Sequence, residues 1–112
     1  MNENQYQAKL IKRLKEMFPG CIVMKNDSGY IQGIPDLTIL YKDKWAFLEC
    51  KKSAKERRHP EPNQEFYIEK ADTMCFGRFI FPENEEEVLN MIRRVSSSNP
   101  EFGEKMRKYL TE

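Results

Sequence analysis

The 112-residue sequence predicts an α/β domain of the mixed α+β kind, with the order α-β-β-β-α-β followed by additional C-terminal helices. Two observations predict it. Apolar residues recur at helical spacing in residues 3–17 and again after residue 62, and short apolar runs bounded by turn residues lie between them. The length suits one core. We expect residues 1–95 to form the domain and residues 96–112 a helical extension packed on it.

The first predicted helix spans residues 3–17 and ends at Pro19-Gly20. Asn2 can cap it, and Gln5 three positions later completes a capping box. Its inward stripe keeps one helical face over successive steps of four and three residues: Glu3, Gln7, Leu10, Leu14 and Met17. A carboxylate at the start of such a stripe either frays into solvent or is held over the edge of a sheet, and periodicity leaves both open.

The remaining elements are four strands and three helices. Pro35 fits only the start of its strand, where no ladder donor is needed. The second long helix has Gln64, Ile68, Ala71 and Cys75 on its inward side. We predict strands over 21–24, 33–41, 45–51 and 78–81, and helices over 62–75, 84–95 and 100–110.

The strands at 33–41 and 45–51 are predicted to form a hairpin. With Asp43-Lys44 as its two-residue loop, Asp36 faces Lys51 and Thr38 faces Glu49. Asp36, Glu49 and Lys51 then share one side of the hairpin. The other side is apolar or nearly so: Leu37, Ile39, Tyr41, Ala46, Leu48 and Cys50.

Two carboxylates and an ammonium group on one face suit a hard divalent cation. Adjacent acids raise each other's proton affinity unless a cation lies between them, and Mg²⁺ prefers carboxylate oxygens and water. Such a site suits phosphodiester hydrolysis, with Lys51 adding positive charge near the phosphate. The alternative is a surface ion-pair cluster on an edge strand. Spacing alone favours that alternative, because an Asp followed later by Glu-x-Lys is common.

Pro35-Asp36 followed by Glu49-Cys50-Lys51 resembles the PD-(D/E)XK nuclease superfamily. The fuller context is similar to the VRR-NUC branch, which occurs in phage nucleases and as a domain of larger repair nucleases. This context comprises Lys25, Ser28-Gly29, Gly33-Ile34-Pro35-Asp36, Glu49-Cys50-Lys51 and Gln64. The resemblance covers residues 3–95 and implies a restriction-endonuclease-like core, so that residues 1–95 would be the nuclease domain.

The resemblance also implies site roles. Asp36 and Glu49 would bind Mg²⁺, for which Mn²⁺ would substitute, and the Cys50 carbonyl and Glu3 would be further ligands. Lys51 would be the catalytic lysine, with Gln64 supporting the site and Glu3 matching the first-helix acid. The implied activity is Holliday junction resolvase-like cutting of branched DNA by a homodimer, in a phage-infected or bacterial cell.

Net charge is +1, so no overall basic field indicates nucleic acid. Basic residues nevertheless concentrate at positions 51–59, which suits phosphate contacts or simply a solvated loop. Tyr30 can contact DNA or pack against the protein. The candidate DNA contacts are Lys25, Ser28, Tyr30, Lys52, Lys55, Arg57 and Arg58. Two rival functions remain open: a nuclease of linear duplex or single-stranded DNA, and a non-catalytic DNA-binding module.

Several other classes are excluded by composition. No apolar run is long enough to span a bilayer, and the first residues lack the pattern of a signal peptide, so we expect a cytoplasmic protein without a membrane partner. The three cysteines are widely spaced in apolar context, which is typical of core thiols rather than disulfides. A single His without a CxxC pair disfavours zinc.

Overall fold

The computed structural model describes residues 1–97, and its sheet is the element on which the helices are arranged. The predicted helix over 100–110, and most of the extension predicted over 96–112, lie outside the described residues. In chain order the elements are α1 (Glu3–Met17), β1 (Ile22–Lys25), β2 (Leu37–Tyr41), β3 (Lys44–Cys50), α2 (Ala54–Arg57), α3 (Gln64–Met74), β4 (Gly77–Ile80) and α4 (Glu85–Ser97).

The four strands form one mixed sheet in the order β1-β2-β3-β4. β1 pairs with β2 and β2 with β3 in antiparallel fashion, whereas β3 and β4 are parallel. Helix α3 lies in the connection that a parallel pair requires. The predicted class, a mixed sheet with flanking helices, is therefore confirmed.

Helices α1 and α4 cover one face of the sheet and form the main core with it. The cluster combines residues of both helices with every second residue of the strands: Tyr6, Leu10, Leu14, Phe18, Leu37, Ile39, Ala46, Leu48, Cys50, Phe76, Ile80, Val88, Leu89 and Ile92. Helix α3 packs on the other face, so closely that a Cβ on Gly77 would lie 2.4 Å from the Ile68 carbonyl oxygen. None of the helices in the described part of the chain is long and apolar enough to cross a membrane.

Helix α1 has the predicted bounds and the predicted cap. The Asn2 side chain accepts from the Gln5 amide at 2.8 Å, and the Gln5 side chain accepts from the Asn2 amide at 2.9 Å. The Tyr6 hydroxyl donates to Glu85 at 2.9 Å and thereby joins α1 to α4. The capping box ties down the first helical turn, which carries Glu3.

The hairpin register differs from the prediction by two residues. The loop is Lys42-Asp43 rather than Asp43-Lys44, with Tyr41 paired to Lys44 and Leu37 to Leu48. Thr38 therefore faces Phe47 rather than Glu49, and the next step of the register places Asp36 level with Glu49 instead of Lys51. Lys42 adopts a φ of 57°, a conformation that two-residue hairpin loops require. Because side chains alternate with a period of two, the shift leaves every predicted face unchanged.

The start of β2 and the segment that follows β3 also differ from prediction. The strand expected from residue 33 begins at Leu37, because Gly33 has a φ of 87° and the Ile34 amide bonds to Ile31 in a turn. The basic segment contains a short helix, α2, that was not predicted. The Ser53 side chain caps it by accepting from the Glu56 amide. The three cysteines are free thiols, as expected.

Candidate active site

Three carboxylates from distant parts of the chain meet at one end of the sheet. Glu3 comes from the first turn of α1, Asp36 directly precedes β2, and Glu49 lies near the end of β3. One carboxylate oxygen of each lies within 4.8 Å of the others. Glu3 is half-buried, so its carboxylate is held beside the sheet instead of fraying into solvent. Periodicity left open whether this carboxylate is exposed to solvent or held over the edge of a sheet, and the structure shows it at the sheet.

Backbone amides of the hairpin hydrogen bond to the carboxylates of Asp36 and Glu49. The Asp36 amide donates to Glu49 Oε1 at 3.1 Å, and the Cys50 amide donates to Asp36 Oδ2 at 2.9 Å. The Cys50 side chain is fully buried in the core on the other face, so Cys50 offers only backbone groups to the site. These two hydrogen bonds fix both acids at the end of the hairpin.

Lys51 and Gln64 complete a buried polar network with Glu49. Lys51 Nζ donates to Gln64 Oε1 at 3.0 Å, and Gln64 Nε2 donates to Glu49 Oε2 at 3.0 Å. The Lys51 ammonium lies 3.9 Å from Glu49 Oε2. Glu49 is only 2% exposed and Lys51 only 6%, so this is not a solvated surface ion-pair cluster. The Glu61 amide also donates to Gln64 Oε1, which fixes the glutamine at the start of α3.

The surroundings of Glu49 and Glu3 raise the pKa of both carboxyls. Burial, and secondly the charge of Asp36, raise the pKa of Glu49 to about 8, against the opposing effect of Lys51. Burial and then Asp36 also raise the pKa of Glu3. Such mutual repulsion is what a cation relieves, and a donor set of carboxylate oxygens matches Mg²⁺ or Mn²⁺. The residues present therefore fit a hard divalent metal.

The candidate DNA contacts differ in whether their side chains are exposed or already engaged. Lys25 and Ser28 are exposed in or after β1, and Tyr30 is 85% exposed, which excludes the alternative packing role. Lys55 and Arg58 are exposed in and beside α2, whereas Lys52 lies 3.9 Å from Glu56. The Arg57 guanidinium is otherwise engaged: it lies 3.7 Å above the Phe79 ring and pairs with Glu65.

Sequence reasoning missed two polar residues beside Asp36. Asn26 and Thr38 hydrogen bond to each other, and Thr38 is buried although it is polar. The available signal was the position of Thr38, which shares the face of Asp36 two residues away in an otherwise apolar strand.

Comparison of this chain with protein-family models, with curated proteins and with solved structures finds no match. Function is therefore inferred from the geometry and chemistry of the site.

Proposed function

We propose that this chain is a metal-dependent endodeoxyribonuclease of the PD-(D/E)XK type, with a restriction-endonuclease-like core. The observation that carries the proposal is the convergence of Glu3, Asp36 and Glu49 oxygens within 4.8 Å, beside the buried ammonium of Lys51. Asp36, Glu49 and Lys51 are the residues of the PD and E-x-K segments, and they lie together at one end of the paired strands β2 and β3.

The three carboxylates would hold Mg²⁺, with the Cys50 carbonyl as a further ligand. When bound, the ion would lower the pKa of a bound water and offset charge on a phosphoryl oxygen. Lys51 donates one hydrogen bond to Gln64, and an ammonium group has three donors, so two remain for the phosphate or the attacking water. Gln64 orients Lys51 and Glu49 together. The chain thus supplies positive charge where the phosphate becomes more negative.

The proposed substrate is branched DNA such as a Holliday junction, cut by a symmetric homodimer. Within residues 1–97 there is one such carboxylate cluster, and one site cuts one strand. Two-fold symmetry would present a pair of sites to two strands. Lys25, Tyr30, Lys55 and Arg58 are exposed and available to contact DNA.

Cleavage of a panel of labelled DNAs tests the proposal. We expect cleavage only when Mg²⁺ or Mn²⁺ is added. A four-way junction should then be cut faster than a flap, a single strand or its own linear arms. The physical reason is that one carboxylate cluster needs a cation before it can activate water. Equal rates on junction and linear arms would contradict branch selectivity. Binding of DNA without cleavage at any metal concentration would instead indicate a non-catalytic module.

Metal affinity is expected to rise with pH. Because the pKa of Glu49 is raised to about 8, the metal-free protein keeps this carboxyl protonated at neutral pH. A cation must displace that proton, so Mg²⁺ affinity should increase about tenfold per pH unit below pH 8 and level off above it. Titration calorimetry between about pH 6 and pH 9 measures this slope.

Whereas Mg²⁺ affinity should rise with pH, the free energy of unfolding of the metal-free protein should fall with pH. Its Glu49 pKa is raised above the ordinary value of 4.5, so the stabilisation from this group is complete below pH 4.5 and is lost as the pH rises through about 8. The Glu49→Gln variant, neutral at every pH, is the matched control and should lose this part of the pH dependence. Mg²⁺ affinity that did not vary with pH would contradict the assignment.

A further inference from the structure

Asn26 directly follows β1, at the start of the loop that leads to Asp36 and β2. Its backbone amide donates to the Asp36 carbonyl at 2.8 Å, which makes it the last rung between β1 and β2. The chain then runs through the exposed turn at Ser28 to Tyr30 and returns at Pro35. Asn26 and Asp36 are therefore paired at the base of this exposed loop.

The Asn26 side chain spans the residues on both sides of Asp36. Its Nδ2 donates to the Pro35 carbonyl at 2.9 Å and to Thr38 Oγ1 at 2.8 Å, and Thr38 Oγ1 lies 3.1 Å from Asn26 Oδ1. Asn26 is half-buried and Thr38 is buried. Each hydrogen bond here is partly shielded from water, so replacing it by water would be costly.

The peptide unit between Pro35 and Asp36 is consequently held at both of its polar ends. Its carbonyl oxygen accepts from Asn26, and its N–H donates to Glu49 Oε1 at 3.1 Å. A peptide unit is planar, so rotating its carbonyl necessarily rotates its N–H. The hydrogen bond from Asn26 therefore sets the direction from which the N–H approaches Glu49.

We propose that the Asn26 side chain is a positioning group for the metal site, acting through the Pro35–Asp36 peptide on Glu49. The proposal rests on the proposed metal-dependent function. Polar groups one shell away from metal ligands orient those ligands, and their loss typically costs about 10-fold to 100-fold in metal affinity. Thr38 has the lesser role of orienting the Asn26 amide.

The competing explanation is that Asn26 only stabilises the loop. Asn84 is a matched control because its side chain also clamps a backbone, donating to the Phe79 carbonyl at 3.0 Å and accepting from the Phe81 amide at 2.9 Å. It lies beyond β4, at the other edge of the sheet, and hydrogen bonds to none of the three carboxylates. If both asparagines only stabilise their loops, neither substitution should change the metal affinity of the folded protein.

The experiment measures Mn²⁺ affinity of the full chain by electron paramagnetic resonance of free Mn²⁺, alongside the melting temperature without metal. We expect Asn26→Ala to weaken Mn²⁺ binding about tenfold or more. Asn84→Ala should lower the melting temperature and leave Mn²⁺ affinity within about twofold of wild type. Thr38→Val keeps the bond from Asn26 to Pro35, so it should weaken binding less than Asn26→Ala.

Equal Mn²⁺ affinity in wild type and Asn26→Ala would overturn the role of Asn26 and leave the metal site intact. Absence of Mn²⁺ binding by folded wild type would overturn the metal site itself, so the two failures are distinguishable. Should Asn26→Ala fail to fold, Asn26→Ser replaces it, because serine stays polar but is too short to reach both Pro35 and Thr38. The same tenfold threshold then applies to Asn26→Ser.

Discussion

Asp36→Asn is expected to abolish Mg²⁺-dependent cleavage, lowering its rate by about a thousandfold or more. The amide cannot supply negative charge to the cation, and a metal at such a site contributes several kcal/mol to transition-state stabilisation. The fold should survive, because the asparagine Oδ1 can still accept from the Cys50 amide that now bonds to Asp36. Single-turnover cleavage of a labelled junction measures the rate, and fluorescence anisotropy measures DNA binding, which should change little.

Asp43→Asn is the matched control for this variant. It makes the same chemical change in the hairpin loop, which lies at the other end of β2, seven residues and roughly 23 Å along the strand from Asp36. We expect its cleavage rate to equal that of wild type. An Asp36→Asn protein that cut as fast as Asp43→Asn would show that this carboxylate does not hold a catalytic metal.

Gly33→Ala is expected to cause a large loss of stability, roughly 3 kcal/mol or more. Gly33 has a φ of 87°, which costs other residues about 1–2 kcal/mol. An added Cβ would also lie 2.5 Å from the Asn63 Cβ and 2.6 Å from the Pro62 carbonyl oxygen. Such overlap in a packed region typically costs a further 1–3 kcal/mol or so. Since Asn63 directly precedes Gln64, relief of this overlap would also displace the partner of Lys51.

Gly20→Ala separates the cost of the backbone conformation from the cost of the steric overlap. Gly20 has the same φ of 87°, but nothing lies within 4 Å of an added Cβ. Thermal unfolding should therefore show a melting temperature about 4–8 °C lower for Gly20→Ala and more than about 10 °C lower for Gly33→Ala. Cleavage by folded protein should fall only in Gly33→Ala. Equal losses of stability in both variants would mean that backbone conformation alone matters and that contact with Pro62 and Asn63 does not.

The hairpin shows how a local error left the larger prediction intact. The segment Lys42-Asp43-Lys44 contains no Gly or Asn to indicate which pair forms the turn, and the predicted loop lies one residue too late in the chain. Moving a two-residue loop by one position changes the pairing by two residues, and a change of two preserves the faces. The apolar alternation of Leu37, Ile39, Leu48 and Cys50 therefore predicted their burial correctly.

Other features were not predicted, either because the element is too short to show periodicity or because the feature depends on contacts between distant residues. Helix α2 has four residues and no buried side chain, so it has no periodicity to detect. The close approach at Gly33 involves Pro62 and Asn63, which are some thirty residues away in the chain. The hydrogen bonds of Asn26 to Pro35 and Thr38 likewise require the loop between them to fold back.

By itself, the sequence determined the helical and strand faces, the α1 cap and the side of the hairpin that carries Asp36, Glu49 and Lys51. Each of these depends on residues a few positions apart, because helical and strand periodicity and capping are local. Only the tertiary structure decided that Glu3 joins the two strand acids and that Gln64 meets Lys51 and Glu49. It also decided the raised pKa of Glu49, because burial and electrostatic repulsion depend on packing and distance rather than on order along the chain.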